Sequence, residues 1–197
     1  MGVGSEGAKS AWRARVLAAR AALPADRLAA AAEAVTREVL DRLGGAARVA
    51  AYVPVGREPG SVALLDRLRD AGTEVLLPVV VPSGLRWGRY GADLVPGPLG
   101  TRQPAGAALG PEALGTVDAV LLPALAVDHH GVRLGRGGGY YDRALAAAPA
   151  GAALVALLHD GELVPRLPAD PWDRTVTAAV APVRGWTELP IVEHHGG

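Results

Sequence analysis

The sequence predicts an α/β protein, a three-layer α/β/α domain built around a mostly parallel central sheet. Several strand-length segments are apolar along their whole length, which is typical of strands covered on both faces. These segments alternate with stretches whose apolar residues recur every three or four positions, the period of an amphipathic helix. No internal repeat or long linker divides the 197 residues, so we predict a single domain over 1–197.

Two helices are expected over about 9–43, before the first strand. Apolar residues recur there at spacings of three and four. Pro24 interrupts the pattern, and Asp26 is a candidate N-cap for a second helix over about 27–43. A pair of glycines then ends that helix and leads into the α/β core, which we place at about 46–185.

Strands and helices alternate along the predicted core. The predicted strands cover 48–55, 73–81, 85–90, 117–127, 152–158 and 176–183. The predicted helices cover 61–71, where Ser61 is the N-cap, and about 139–148. The segment 94–115 is rich in Gly and Pro and is predicted to be loop.

The composition excludes several classes of function. Lys and Arg together number 20 and are balanced by 20 Asp and Glu, which argues against a nucleic-acid partner. The chain has no Cys, which excludes disulfide scaffolds, Cys-ligated zinc, iron–sulfur clusters and thiol catalysis. No stretch approaches the roughly 18 consecutive apolar residues of a membrane span, and no apolar signal segment follows the N-terminus. We therefore expect a cytoplasmic protein with no membrane partner.

The densest functional pattern is the segment 128–142, DHHGVRLGRGGGYYD, which follows a predicted strand and opens a helix. Ligands of open α/β sheets bind beyond the carboxyl ends of the strands. Gly residues let backbone N–H groups approach an anion, and a helix N-terminus adds partial positive charge. Arg133 and Arg136 suit phosphate or carboxylate, and Asp142 suits Mg²⁺ on the same phosphates. The pattern therefore predicts an anion site, with a plain tight loop as the alternative.

Other residues have competing interpretations. Lys9 is the only lysine beside nineteen arginines, which singles it out, although a surface lysine is the alternative. His129 and His130 beside Asp128 suggest a metal site, but adjacent residues point to different sides of most backbones. For Asp128 we favour a carboxylate that braces the loop by accepting backbone N–H bonds.

The string LLPALAVDHHGVRLGRGGGYYDRAL is similar to the central motif of the 5-formyltetrahydrofolate cyclo-ligase family, also called methenyltetrahydrofolate synthetase. Flanking segments resemble the family in the same order, so the resemblance extends over nearly the whole chain. These segments are Lys9 with Arg13, Tyr52-x-Pro54 with Glu58, Thr73–Pro78, Gly100–Pro104, and Leu167-Pro168-x-Asp170-x-Trp172-Asp173.

The resemblance implies an enzyme that binds ATP, Mg²⁺ and a reduced folate. It converts 5-formyltetrahydrofolate to 5,10-methenyltetrahydrofolate, with ADP and phosphate as products. The implied catalytic residues are Lys9, Arg136 and Tyr140, and the implied metal ligands are Asp142 and Asp173. The implied ATP-binding residues are Lys9, Arg13, Arg133, Leu134, Gly135, Arg136, Gly137, Gly138, Gly139, Tyr140 and Tyr141. The implied folate-binding residues are Glu58, Arg136, Gly137, Gly138, Gly139 and Tyr140.

Each implied role has a plainer alternative. The alternative for Glu58 is an exposed loop acid, that for Asp173 is a cap or a partner of Arg174, and that for Tyr140 is a core residue. The chain also departs from the family where Pro59 follows Glu58 and where Thr177 replaces a second Asp. A homologue that binds nucleotide or folate without turnover is therefore the alternative function, and a phosphosugar isomerase-like enzyme is a third. We expect small-molecule substrates and a monomer or weak dimer.

Overall fold

The computed structural model describes residues 3–91 and 93–192, and in this part the chain forms four α-helices and twelve β-strands. The helices are α1 (Val3–Ala21), α2 (Ala25–Leu43), α3 (Val62–Asp70) and α4 (Tyr140–Ala144). The strands are β1 (Arg48–Ala50), β2 (Glu74–Val81), β3 (Gly84–Arg89), β4 (Leu94–Pro96), β5 (Arg102–Pro104), β6 (Ala119–Pro123), β7 (Ala126–Asp128), β8 (Arg133–Leu134), β9 (Ala153–Leu157), β10 (Leu163–Val164), β11 (Ala178–Ala181) and β12 (Gly185–Glu188).

A seven-stranded sheet forms the centre, in the order β12-β11-β9-β6-β1-β2-β3. Its five inner strands pair in parallel, while β12 and β3 are antiparallel at the two edges. The predicted α/β class with a mostly parallel sheet is confirmed. From β1 the chain runs outward to β2 and β3, and then returns to place β6 on the other side of β1. The order of the strands therefore reverses between β1 and β6.

Apolar side chains cover the two faces of this sheet in different ways. On one face, α2 and α3 contribute residues such as Val35, Val39 and Leu65 to a buried cluster with the strands. On the other face, Leu114 and Leu145 from short 3₁₀ turns pack with Trp87 and the strands. Burying one such leucine contributes roughly 1.5–3 kcal/mol, so these contacts dominate the stability of the sheet.

Helix α1 lies apart from the central sheet, against a three-stranded sheet in the order β10-β7-β8. Val16 packs there with Leu125, Leu134 and Leu167. Lys9, Arg13, Val16 and Arg20 follow one another at spacings of four, three and four, so they share one face of the helix. Arg13 on this face reaches the loop that follows β8.

The structure corrects several predicted boundaries. Helix α1 begins at Val3, and α2 begins at Ala25 with Pro24 at its N-cap, so Asp26 lies in the first turn and is not the cap. The predicted strand 117–127 is divided into β6 and β7, because the chain leaves the central sheet at Ala124 and Leu125 and then pairs with β10. Helix α4 is one turn long and continues as a 3₁₀ turn.

The predicted loop 94–115 also contains structure. Strands β4 and β5 form an antiparallel pair within it, and a 3₁₀ turn covers Pro111–Thr116. The short strands β8, β10 and β12 were not predicted. They owe their conformation to a neighbouring strand, which a single sequence does not specify. Within the described ranges, the structure contains no helix that is long and apolar enough to cross a membrane.

Candidate active site

The reversal of strand order between β1 and β6 places two loops side by side. Glu58 follows β1, and the Gly-rich loop before α4 follows β6 through β7 and β8. In open α/β sheets, the crevice at such a reversal is the usual ligand site. An ion pair spans it, since Arg136 Nε donates to Glu58 Oε1 at 2.9 Å. The residues predicted for the nucleotide and the folate thus meet at this point of the sheet.

Glycine is required at specific points of the loop. Gly137 and Gly139 have φ angles of 101° and 64°, which only glycine adopts without strain, and Gly139 is the N-cap of α4. A Cβ atom added at Gly135 would lie 2.9 Å from the guanidinium of Arg133. One added at Gly138 would lie 2.9 Å from the ring of Tyr140. The glycines therefore serve both the turn and the close approach of neighbouring side chains.

Arg133 and Asp142, predicted as a phosphate ligand and a metal ligand, contact each other. Arg133 Nη2 donates to Asp142 Oδ1 at 2.9 Å, and Arg133 Nη1 donates to the carbonyl of Pro123 at 3.4 Å. The side chain of Arg133 is 4% exposed and that of Asp142 is 30% exposed. Within the described residues, the buried Nε of Arg133 has no hydrogen-bond partner. This leaves one donor of a fixed guanidinium available beneath the loop.

Glu58 is held from two sides. Its Oε2 accepts the backbone N–H of Val55 at 2.9 Å, while its Oε1 accepts Arg136. Arg136 is 56% exposed and Glu58 is only 11% exposed. Glu58 is therefore not the exposed loop acid of the alternative interpretation. Its carboxylate is held by two hydrogen bonds, and Arg136 is the more exposed partner of the ion pair.

Lys9 joins the site from helix α1. Its Nζ donates to Asp170 Oδ2 and to Asp173 Oδ2, each at 2.7 Å. Burial opposes the charge of Lys9, but the two carboxylates outweigh it and hold the pKa of the ammonium above 10.5. The hydrogen bond from Lys9 in turn holds the pKa of Asp170 below its usual value. Lys9 is thus not a free surface lysine, and Asp173 pairs with it.

Arg13 lies one turn further along α1 and reaches the Gly-rich loop. Its Nε donates to the carbonyl of Gly135 at 3.1 Å, and its Nη1 pairs with Glu6 Oε1 at 2.5 Å. A Cβ atom at Gly137 would lie 3.5 Å from the same guanidinium. Of these two cations on one helix face, Arg13 contacts the loop, whereas Lys9 contacts Asp170 and Asp173.

The two tyrosines of the motif have different surroundings. Tyr140 is half-buried and its ring lies 5.3 Å from the guanidinium of Arg143, so it is not a core residue. Tyr141 packs against the apolar cluster that contains Leu145, and burial raises the pKa of its hydroxyl. The side chain of Leu134 packs against α1, so only its backbone belongs to the loop.

Several predictions about supporting residues are also settled. Asp128 is buried, and its two oxygens accept the backbone N–H groups of His130, Val132 and Leu167 at 2.9–3.0 Å. This confirms it as the brace of the loop. Thr177 exchanges hydrogen bonds with the backbone of Leu154, at the start of β9, so that replacement has a structural role.

Sequence reasoning gave no role to two other features near the site. The sequence assigns Asp170 no role beyond its place in the Leu167–Asp173 motif, and it assigns none to Arg20. Arg20 forms a buried ion pair with Glu162 through its Nε at 2.7 Å. The only signal in the sequence was the position of Arg20 on the face of α1 that carries Lys9 and Arg13.

A small cleft borders Glu58 on the side of α2. It has a volume of about 130 Å³. Its walls are Leu28, Ala31, Ala32, Val35, Pro54, Gly56, Arg57, Glu58, Pro59, Gly60 and His159. Apolar side chains of α2 thus face a rim of backbone and polar groups around Glu58.

Comparison with known proteins identifies the family of the chain. The model of the 5-formyltetrahydrofolate cyclo-ligase family matches residues 5–182. The protein of Mycolicibacterium smegmatis named 5-formyltetrahydrofolate cyclo-ligase is 47% identical over 148 residues, which cover 72% of this chain and 76% of that protein. The protein of that name from Escherichia coli K12 is 33% identical over 149 residues, covering 70% of this chain and 79% of its own.

Solved structures agree with this result. The NMR structure of Aquifex aeolicus 5,10-methenyltetrahydrofolate synthetase superposes with a TM-score of 0.77 at 28% identity, covering 96% of this chain and 99% of that one. A 5,10-methenyltetrahydrofolate synthetase from Mycoplasma pneumoniae has a TM-score of 0.70 at 20% identity, covering 87% and 96%, and shares the fold. The resemblance predicted from the sequence is confirmed: the chain belongs to the 5-formyltetrahydrofolate cyclo-ligase family.

Proposed function

We propose that the protein converts 5-formyltetrahydrofolate to 5,10-methenyltetrahydrofolate, with ATP as phosphoryl donor and Mg²⁺ bound to the nucleotide. Membership of the family supports the reaction. The observation that carries the assignment to this site is the ion pair of Arg136 with Glu58 at 2.9 Å, across the reversal of strand order. This ion pair connects the Gly-rich loop, which we assign to phosphate, with Glu58, which we assign to the folate ring.

The reaction must turn a poor leaving group into a good one. The formyl oxygen of the folate attacks the γ-phosphorus of ATP, the bond from that phosphorus to ADP breaks, and ADP leaves. N10 then attacks the formyl carbon and loses its proton, and the carbon–oxygen bond breaks to release phosphate. Such a sequence needs fixed positive charge and close positioning, and no covalent protein nucleophile.

On the nucleotide side, we assign the phosphates to Lys9, Arg13, Arg136 and the backbone from Arg133 to Tyr141. Three observations support this assignment. Two glycines with positive φ shape the loop, a cation of α1 contacts its backbone, and a buried donor of Arg133 lacks a partner in the described chain. An anion at the loop would satisfy that donor and the backbone N–H groups together.

Lys9 and Arg136 are the cations that can follow charge during the reaction. Arg136 is half-exposed and is held by one carboxylate, and Lys9 lies between two. When phosphates bind, the ammonium exchanges a carboxylate oxygen for a phosphate oxygen at little cost, since both are anions. We assign these two residues and Tyr140 to the reacting centre.

The carboxylates fit a Mg²⁺ ion that enters with the nucleotide. Within the described residues, no three acidic or histidine side chains come together as a cage. Mg²⁺ usually takes only one or two carboxylates beside substrate phosphates, and Asp142 at 30% exposure offers one. Asp142 and Asp173 would hold the ion, which would neutralise charge on the phosphoryl oxygens. The hydrogen bond from Lys9 occupies Oδ2 of Asp173, so Oδ1 would be the oxygen that holds the ion.

On the folate side, we assign Glu58 to the ring or to the formyl-bearing nitrogen, beside Tyr140. The fixed position of its carboxylate supports this role. Because the N–H of Val55 already holds the side chain, little further conformational entropy is lost when a ligand binds. Pro59, the departure from the family pattern, supplies a carbonyl that accepts the hydroxyl of Tyr52 at 2.7 Å. The bend after Glu58 is thus held in place by a hydrogen bond to the buried Tyr52.

The test is a spectrophotometric assay of methenyl-folate formation. The purified protein is mixed with 5-formyltetrahydrofolate, ATP and Mg²⁺, and ADP is measured in parallel. We expect absorbance to rise only when ATP and Mg²⁺ are both present, with equal amounts of ADP and methenyl product. Arg67→Ala, at an exposed pair with Glu33, is the control for loss of a cation. Binding of both ligands without product or ADP would establish the non-catalytic homologue instead.

A further inference from the structure

A buried ion pair outside the proposed machinery connects α1 to the loop after β9. Glu162 Oε1 accepts Arg20 Nε at 2.7 Å, and its Oε2 accepts Arg20 Nη2 and the backbone N–H of His159, each at 2.8 Å. Both side chains are almost fully buried. A buried ion pair is costly to desolvate and is often no more stable than an apolar replacement. Its presence therefore indicates a need for defined geometry.

His159 passes this geometry to the segment that carries Glu58. Its Nε2 lies 3.0 Å from the carbonyl oxygen of Arg57. The carbonyl can only accept, so Nε2 carries the proton and donates. The guanidinium of Arg57 also donates to the carbonyls of Leu23 and Arg20, at the end of α1. Arg57 is therefore held through both its backbone and its side chain.

The segment around Glu58 depends on such anchors because it contains little regular structure. Gly56 has a φ of 62°, and Glu58 N–H donates to the carbonyl of Val55 at 3.2 Å. On the other side of Glu58, Pro59 is held by the hydroxyl of Tyr52. Arg57 and Pro59 are thus both fixed, one by the histidine and the other by the tyrosine.

Arg20, the arginine of the buried ion pair, also contacts the opposite side of the crevice. Arg20 Nη2 donates to the carbonyl of Ala124 at 2.6 Å, where the chain leaves β6. The preceding carbonyl, that of Pro123, accepts Arg133 at 3.4 Å. The guanidinium of Arg20 therefore holds the carbonyl next to the one that binds Arg133. Through Glu162 and His159, it is also connected to the Arg57 carbonyl, which precedes Glu58.

We propose that Arg20, Glu162 and His159 are positioning residues that set the place of Glu58 relative to the Gly-rich loop. This inference rests on the proposed role of Glu58 in folate binding. Arg20 and Glu162 touch no ligand in this scheme, and His159, which lines the cleft beside Glu58, acts through the Arg57 carbonyl. They fix the Arg57 carbonyl and the Ala124 carbonyl to one buried unit, so that the two walls of the crevice keep their spacing when a ligand binds.

The main test compares His159→Ala with His159→Gln. Glutamine keeps an N–H donor for the Arg57 carbonyl, whereas alanine removes it. Loss of one hydrogen bond of this kind predicts an increase of about tenfold in KM for 5-formyltetrahydrofolate. We expect KM for ATP to change less than about twofold, and we expect His159→Gln to restore most of the folate KM.

A second readout does not depend on turnover. Amide hydrogen exchange across residues 55–60 reports directly on how firmly the segment is held. His159→Ala should raise the exchange rate there about tenfold, and His159→Gln should return it toward the wild-type rate. Because exchange is measured without substrate, it tests the anchoring even if the wild-type protein proves to have no cyclo-ligase activity.

The matched control is Glu74→Gln. Glu74 pairs with Arg48 and Arg89 at the amino end of the central sheet, away from the crevice. This variant should change neither the folate KM nor exchange across 55–60. The proposal is overturned if His159→Ala leaves both unchanged, or if His159→Gln behaves like alanine in both. Glu162→Gln, which keeps the shape but weakens the pair, should reproduce the effects of His159→Ala.

Discussion

Lys9 and Arg20 are two ion-paired cations on one face of helix α1, and they differ in what surrounds them. Lys9, near its beginning, is 10% exposed and lies between two carboxylates that are 22% and 15% exposed. Arg20, near its end, is 4% exposed and faces Glu162 at 8%. Glu162 also accepts a backbone N–H, and Arg20 donates to a backbone carbonyl. The first pair can exchange partners with a ligand, whereas the second has every partner fixed by the fold.

This difference shows how one amphipathic face serves two purposes. Between the two pairs, Val16 anchors the helix in an apolar cluster, so both cations are presented from a rigid support. In the proposed function Lys9 exchanges a carboxylate for phosphate, and its partners Asp170 and Asp173 are more exposed than Glu162. Because it is buried, the guanidinium of Arg20 has a structural role, and it connects Glu162 with the Ala124 carbonyl. We therefore expect changes at Lys9 to reduce turnover and changes at Arg20 to reduce stability.

The largest effect is expected for Arg20→Ala. It leaves the buried carboxylate of Glu162 with a single backbone donor, and removal of one partner of a buried pair costs about 3–5 kcal/mol. Chemical denaturation should show this loss in the free energy of unfolding. Lys9→Ala is the comparison variant and should lose less, because its partners are partly exposed to water. Equal losses for the two variants would contradict the distinction between the pairs.

The second effect concerns turnover in Lys9→Ala. Removing a cation that contacts the transferred phosphoryl group should lower kcat/KM for ATP about 100- to 1,000-fold. KM for folate should change much less, because the opposite wall of the crevice is intact. Steady-state kinetics with each substrate varied in turn measure both values. A larger effect on folate than on ATP would place Lys9 on the wrong side of the site.

Asp142 tests an intermediate case, a half-exposed carboxylate beside a buried arginine. Asp142→Ala should reduce Mg²⁺-dependent turnover by about 10- to 100-fold and raise the Mg²⁺ concentration needed for half-maximal rate. The chain should be less stable but still folded, because the buried Arg133 loses a partly exposed carboxylate and keeps the Pro123 carbonyl. Asp70→Ala, on the exposed surface of α3, is the control. Unchanged Mg²⁺ dependence would remove Asp142 from the metal site.

A smaller effect is expected for Glu58→Gln. The amide oxygen can still accept the N–H of Val55, but the charge that Arg136 and the folate meet is lost. We expect KM for 5-formyltetrahydrofolate to rise about tenfold at nearly unchanged KM for ATP. Substrate-dependent initial rates check this. A change confined to ATP would assign Glu58 to the nucleotide.

The sequence predicts the parts of this molecule whose information is local. Apolar runs and helical periods locate the central strands and α1 to α3, and Asp128 braces its loop because its partners at His130 and Val132 are neighbours in the chain. The motif likewise places Arg133 and Asp142 together, nine residues apart.

Contacts between distant segments could not be predicted in the same way. Lys9 meets Asp170 across 161 residues, and Arg20 meets Glu162 across 142. Nothing in the sequence specifies which of nineteen arginines finds a buried carboxylate. The strands β8, β10 and β12 are missing from the prediction for the same reason, because each is only two to four residues long and is defined by its neighbour. Resemblance to a motif therefore predicts the binding residues of a site more readily than the distant residues that hold them in position.

The smallest effect tests the exchangeable pair through pH. Lys9 holds the pKa of Asp170 below its usual value, so this carboxylate adds stability above the unfolded pKa of about 3.9, and the gain is lost as pH falls below it. The raised pKa of Lys9 gives the opposite limit, with stability lost only as pH rises above 10.5.

Asp170→Asn should therefore lower the free energy of unfolding at pH 7, and the gap in this free energy between variant and wild type should narrow below pH of about 4. Urea unfolding from pH 3 to pH 8 measures this, with Asp70→Asn as the control for loss of a surface carboxylate. A gap that stays constant through pH 3 would show that the charge of Asp170 does not stabilise the fold, and that Lys9 depends on Asp173 alone.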